Sequence, residues 1–199
     1  MSASSAVYDG GLADAVFGSQ ALFRRVMEAF AEPGRVADLG GMVRAPAPLP
    51  EASAAFLAAF ADYDTHVWFE SGEADDAAAW LGFHTGAPVT GDAAAAAFAV
   101  LDEASPIDGW SRFALGTASY PDRSATLLLP VAALTGGPSL QLAGPGIETT
   151  ATISPAGLPA GFAAAMAENR TKFPLGLDML LVCGAEAIAL PRTTRITEA

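Results

Sequence analysis

Apolar positions along this chain follow two different repeats, a helical one early and a strand-like one late. From about Ser19 to Ala31, Leu22, Phe23, Val26, Met27 and Phe30 make one apolar stripe of an amphipathic helix. Ser19 is placed to cap its start, and Glu32-Pro33-Gly34 stops it. A proline-rich stretch, Pro46 to Pro50, leads into a second helix bearing Phe56, Leu57 and Phe60. Asp62-Tyr63-Asp64 turns the chain, His66 to Glu70 reads as a short strand, and a further helix covers about Glu73 to Leu81. Phe83-His84-Thr85-Gly86 reads as a loop, and an alanine run then gives way to a strand over Phe98 to Asp102. Met1 to Ala6 read as a loose tail.

The second half is richer in strands. Ala125 to Leu134 and Leu140 to Ala143 are apolar runs bounded by turn residues, and Pro130 predicts a bulge or an edge position because it cannot donate to a ladder. A helix over about Ala160 to Asn169 follows Leu158-Pro159. Leu177 to Cys183 and Ala187 to Leu190 flank Gly184-Ala185, which predicts a β-hairpin. Ser124 to Ile147 carries no charge and is long enough to suggest a membrane span. Pro130, Gly136, Gly137, Pro138, Gly144, Pro145 and Gly146 break it too often for a helix in lipid, so it reads as two buried strands of a sheet core. Helices and strands alternating early, with strands pairing locally late, predict an α/β fold: a mixed β-sheet with helices on its faces.

Composition narrows the function classes. The 199 residues suit a single domain, and an apolar fraction of 52% supplies ample core. The net charge of −12, with Lys172 the only lysine among ten basic residues, disfavours nucleic-acid binding. One cysteine, Cys183, excludes an internal disulfide and suits a reducing, cytoplasmic compartment. Cys183 follows an apolar strand and reads as a small core residue. The N-terminus shows no secretory signal pattern. No phosphate loop, H-E-x-x-H, paired C-x-x-C or G-x-S-x-G motif occurs, and His66 and His84 are the only histidines, too few for an all-histidine zinc site.

Several stretches occur in a telling order. They are Ser19-Gln20 with Phe23-Arg24 and Glu32-Pro33-Gly34, then Phe83-His84-Thr85-Gly86-Ala87, then Gly116-Thr117 with Tyr120-Pro121-Asp122-Arg123-Ser124. Leu142-Ala143-Gly144-Pro145-Gly146-Ile147, Asn169-Arg170, Phe173-Pro174-Leu175-Gly176-Leu177-Asp178 and Pro191-Arg192-Thr193-Thr194-Arg195 follow. Each is weak alone, but together, over nearly the whole chain, they resemble the PhnH family of the carbon–phosphorus lyase system. The resemblance implies a fold similar to the pyridoxal-phosphate-dependent transferases without the cofactor, arranged as a homodimer. It also implies a core complex with the G, I and J subunits, in which alkylphosphonate displaces adenine from ATP to give a ribose 1-phosphonate 5-triphosphate. Members of the PhnH family are there a required partner without an assigned chemical step. The residues agree with the missing cofactor: Lys172, the one possible Schiff-base lysine, lies at a polar helix end and not in a desolvated pocket.

The ligand-binding or docking candidates are His84, Asn169, Arg170, Arg192 and Arg195, with no catalytic or metal-ligating set. His84 would either donate to phosphate or phosphonate or satisfy loop carbonyls. Tyr120 to Ser124 reads first as a turn in which Asp122 and Ser124 bond their own backbone, and Gly144-Pro145-Gly146 as a tight strand exit. Arg170, Lys172, Arg192 and Arg195 gather in the last thirty positions, as solvated charge or as an anion site or docking face. Arg192 to Arg195 are expected at a sheet margin, reaching outward to a polyphosphate tail or an acidic neighbour, so that Arg192→Ala with Arg195→Ala would leave the fold intact. The chain is thus expected to be a non-autonomous subunit. An independent transferase on a phosphorylated nucleotide, or a module binding nucleotide or phosphonate at a homodimer interface, remain the alternatives.

Overall fold

The computed structural model describes residues 7–71, 75–103 and 105–199. In it the helices are α1 (Ala15–Ala31), α2 (Glu51–Phe60), α3 (Asp75–Thr85) and α4 (Phe162–Thr171). The strands are β1 (Val36–Asp38), β2 (Val67–Phe69), β3 (Phe98–Val100), β4 (Thr126–Pro130), β5 (Leu140–Ala143), β6 (Ala151–Ile153), β7 (Asp178–Cys183), β8 (Glu186–Leu190) and β9 (Arg195–Glu198). Six strands form one mixed sheet in the order β1-β8-β7-β4-β3-β2; β7, β4, β3 and β2 run parallel, and β8 and β1 add antiparallel at one edge. A separate antiparallel sheet has the order β6-β5-β9.

Two-residue alternation divides the inner strands between two cores. Leu128, Leu180, Val182, Ala187 and Ala189 face α1, α2 and α3, meeting Leu22, Phe56, Leu57 and Trp80. Leu127, Leu129, Met179, Leu181, Ile188 and Leu190 face the other way, toward α4, a 3₁₀ turn at Ile107–Arg112 and the small sheet. Strands covered on both faces must be apolar at every position, which explains the uninterrupted runs at 127–129 and 179–182.

Several expected boundaries shift for local reasons. Helix α1 starts four residues before Ser19, because the Asp14 carboxylate accepts from the Val16 and Phe17 N–H groups at 3.0 and 2.9 Å. A carboxylate at a helix N-terminus gains from the dipole as well as the hydrogen bonds. Ser19 instead donates to the Ala15 carbonyl at 2.6 Å. The apolar stripe of α1 also divides: Leu22 and Val26 are buried, while Phe23 and Met27 are 46% and 47% exposed. His84 does not lie in a loop but in the last turn of α3, which closes at Gly86, with φ +76° and its N–H on the Gly82 carbonyl. The expected start of that helix at Glu73, like the Met1 to Ala6 tail, lies outside the described residues.

Pro130 is neither at a bulge nor on an edge strand. β3 ends at Val100 opposite Leu128, so β4 outruns it by two residues on the side where the missing Pro130 N–H would have pointed. β4 and β5 are both buried, as read from the charge-free segment, but they belong to different sheets and meet through side chains, Leu127 and Leu129 sharing a core with Leu140 and Leu142. The hairpin about Gly184-Ala185 forms as expected, with Cys183 opposite Glu186. Among the described residues no helix is long and apolar enough to cross a membrane.

Candidate functional site

Three of the C-terminal candidates, Asn169, Arg170 and Arg192, gather around the start of β7 and the exit of β8. Asn169, on the inner face of α4, is buried and makes reciprocal 2.8 Å bonds with the backbone of Leu177, donating through Nδ2 and accepting at Oδ1. Gly176, at φ +131°, permits this approach, since a Cβ there would stand 2.9 Å from Asn169 Oδ1. Arg170 donates from Nε to the Thr193 carbonyl at 3.2 Å. Asp178, next to Leu177, holds Arg192.

Arg192 does not reach outward. Its Nε donates to Asp178 Oδ1 at 3.1 Å, its Nη1 to the carbonyls of Pro121 and Pro174 at 2.9 and 3.4 Å, and its Nη2 to Ser124 Oγ and Asp178 Oδ2. A guanidinium has five N–H donors, and all five are engaged within the chain. Arg192 therefore fastens three segments: the turn before β4, the loop before β7 and the exit of β8. Ser124 serves this arginine rather than its own backbone. Arg195 opens β9 as an exposed side chain, and Lys172 pairs with Glu168 at 3.3 Å on the surface of α4. Cys183 is half-buried at the end of β7, and Gly144 to Gly146 form a tight exit from β5 against the end of α1.

His84 stands apart, in the helical layer on the opposite face of the large sheet. Its ring packs 4.9 Å from Trp80 and from Phe83, and its Nε2 is enclosed without a hydrogen-bond partner. The backbone of Gly11 lies against it, where a Cβ would come within 2.2 Å of Nδ1. The loop carbonyls expected to satisfy it do not do so through Nε2.

A different place emerges from the topology. The parallel strands β2, β3 and β4 end on the same side of the sheet, and the chain leaves β2 for α3 on one face but leaves β3 for the 3₁₀ turn on the other. Diverging exits open a crevice beyond the carboxyl ends of such strands. Here the crevice is about 270 Å³, with an apolar lining from Phe69, Val100, Leu101, Pro130 and the Pro48-Leu49-Pro50 segment, and Ser71, Asp102 and Glu103 as its polar residues. Beside it, the Glu70 carboxylate accepts from the Asp102 N–H at 3.0 Å and from Arg112 Nη2 at 2.8 Å. Arg112 lies over the rings of Trp68 and Phe113, 4.4 and 5.1 Å from their centroids. Burial pushes the Glu70 carboxyl up, but the bonds from Asp102 N–H and Arg112 outweigh it and hold Glu70 below the ordinary range. Asp102 moves the other way, raised by burial and by the Glu70 charge. Sequence patterning did not reveal this crevice, although its signal is visible: Glu70 and Asp102-Glu103 follow directly on two buried strands. Among the described residues no cluster of His, Cys, Asp or Glu is arranged to hold a metal ion.

With this geometry established, comparison with known proteins gives a consistent result. A family model described as "Bacterial phosphonate metabolism protein (PhnH)" matches residues 10–197. A protein of Rhizobium meliloti (strain 1021), named alpha-D-ribose 1-methylphosphonate 5-triphosphate synthase subunit PhnH, is 43% identical over 197 residues, covering 98% of each chain. A putative C-P lyase subunit protein HtxG of Stutzerimonas stutzeri is 39% identical over 82 residues, 41% of this chain and 42% of its own.

Proposed function

The chain belongs to the PhnH family of bacterial phosphonate metabolism proteins, and on that footing we propose that it is a non-autonomous subunit of a carbon–phosphorus lyase core complex. In this reading it supports transfer of alkylphosphonate onto the ribose of ATP with loss of adenine, in the cytoplasm, alongside the G, I and J subunits. The end-to-end match to a protein named as a subunit of the ribose 1-methylphosphonate 5-triphosphate synthase carries the proposal. The proposal extends to a cofactor-free relation with the pyridoxal-phosphate-dependent transferase fold, supported by the mixed sheet with a parallel centre.

The surface of α1 supports a life in an assembly. Val16, Phe23 and Met27 fall at positions 0, 7 and 11 of one helical face and are 61%, 46% and 47% exposed. Phe23 is held rigid by stacking on Phe60 at 5.2 Å. Preformed apolar groups of this kind suit a protein interface, whether with another subunit or with a second copy in a homodimer. Co-expression with the G, I and J subunits followed by size-exclusion chromatography tests the proposal. Co-elution in one complex is expected, with loss on Phe23→Asp; a chain that never co-elutes with them would overturn it. Sedimentation of the isolated chain tests the homodimer.

A further inference from the structure

The crevice beyond β2 and β3 has a chemistry of its own. Its lining is mostly apolar, and its polar side chains are those of Ser71, Asp102 and Glu103. Asp102 and Glu103 present carboxyl groups. Leu128 turns its carbonyl toward β3, where it accepts from Leu101 N–H at 2.9 Å; Pro130, two residues on, faces the same way past the end of β3. Pro130 also contributes no N–H, so the strand end adds acceptance without donation.

Among the described residues no lysine, arginine or histidine lines the crevice. Arg112 is near, yet its charge is committed to Glu70 at 2.8 Å and its face to Trp68 and Phe113. Glu70 and Arg112 cancel as a pair, which leaves Asp102 and Glu103 uncompensated on a chain of net charge −12. A phosphate or phosphonate placed there would meet like charge and no cation. A flat apolar ring carrying N–H groups meets both demands of the site: the apolar lining covers the ring, and the carboxylates accept from the nitrogen.

We propose that this crevice binds a small, flat ligand whose apolar ring bears N–H donors, an amidine or an aminated heterocycle, and rejects phosphate and phosphonate anions. The site is set by this chain alone, so the proposal does not rest on membership of the complex. A chain that binds such a ligand but fails to join the other subunits would separate the two readings.

The test is isothermal titration of the full chain with three probes: benzamidine, adenine and methylphosphonate. Backbone amide shifts locate any binding. Benzamidine and adenine are expected to bind and to move the signals of residues 100–103, and methylphosphonate to move neither heat nor signals. Asp102→Asn with Glu103→Gln should weaken benzamidine by about tenfold to a hundredfold, the value of one charge-assisted hydrogen bond. Glu148→Gln, which removes an exposed charge away from the crevice, should leave it unchanged. Both crevice carboxyls are exposed, so the double variant is expected to fold, which a thermal melt verifies. The proposal is overturned if neither nitrogen ligand binds, if methylphosphonate moves residues 100–103, or if Glu148→Gln weakens benzamidine as much as the double variant.

Discussion

Replacing Arg192 with alanine should unfold this protein early rather than merely loosen a contact with a partner. The substitution removes all five N–H donors from a site where each has an acceptor. It strands Asp178, whose side chain is 20% exposed, beside a vacated place where the arginine was 13% exposed. Water screens so enclosed a pair only weakly, and breaking a buried pair by deleting one member costs about 3–5 kcal/mol. A chain of this length loses about 2–4 °C of melting temperature per kcal/mol, so the midpoint should fall by about 6–20 °C. Arg192→Lys should recover little, because one ammonium cannot reproduce a planar fork that bonds carboxylate, hydroxyl and two carbonyls. Asp178→Asn in a double-mutant cycle with Arg192→Ala should show strong coupling. Arg195→Ala, on an exposed side chain, should change stability by less than about 0.5 kcal/mol. Circular-dichroism melts and urea titrations provide the readout. A midpoint for Arg192→Ala within about 2 °C of the parent would refute the reasoning and restore an outward-acting arginine.

The same region gives a second expectation: Asn169→Ala leaves the Leu177 N–H and carbonyl without partners and should cost about 1–3 kcal/mol by urea titration. Glu70, beside the crevice, and Asp102, in its wall, give a third, of opposite signs. Glu70 ionises more readily folded than unfolded, so its contribution is present above the ordinary carboxylate range and lost as pH falls through its lowered pKa; Glu70→Gln should flatten that acid limb of melting temperature against pH. Asp102 is raised, so its charge weakens the fold above its pKa and protonation relieves it; Asp102→Asn should be neutral to stabilising at pH 7. A fourth concerns Lys172, whose amine is solvated and paired with Glu168. Added pyridoxal phosphate should give no internal-aldimine absorbance that Lys172→Ala removes.

Much of the architecture was legible because burial on both faces leaves a mark in sequence. The runs that became β4 and β7, the hairpin into β8, and the helices α1, α2 and α4 all followed from periodicity and breakers. Strands β1, β6 and β9 did not, since three or four residues at a margin carry too little pattern to be told from loop. The division of α1 into a buried Leu22–Val26 side and an exposed Phe23–Met27 side was illegible too, because periodicity shows that a face is apolar and not what covers it. At the site level, Asn169, Arg170 and Arg192 do come together, but sequence could not show that Pro121 and Ser124 from one turn and Pro174 and Asp178 from another segment would converge on one guanidinium. The crevice failed to register for the opposite reason: its carboxylates are ordinary residues made special by strands that end side by side.

The placement of cations bears on how such a chain could take part in chemistry on anions. Arg35, Arg112, Lys172 and Arg192 are each paired with a carboxylate of the same chain, four of its ten basic residues. Arg25 is turned to the Asp38 and Gly40 carbonyls, Arg170 to that of Thr193, and Arg123 lies over Tyr120. Of the four C-terminal cations, Lys172 and Arg192 are neutralised from within, while Arg170 and the exposed Arg195 keep their charge on a chain of net charge −12. A triphosphate or phosphonate approaching such a surface is repelled, and holding it requires several cations aimed at one point. If this subunit works beside such substrates, the cations must come from its neighbours, and this chain acts through the surfaces it offers them. The exposed aliphatic and aromatic face of α1 and the carboxyl-bearing crevice fit that division: the first suits a protein, the second suits the nitrogen end of a ligand, and neither suits its phosphates.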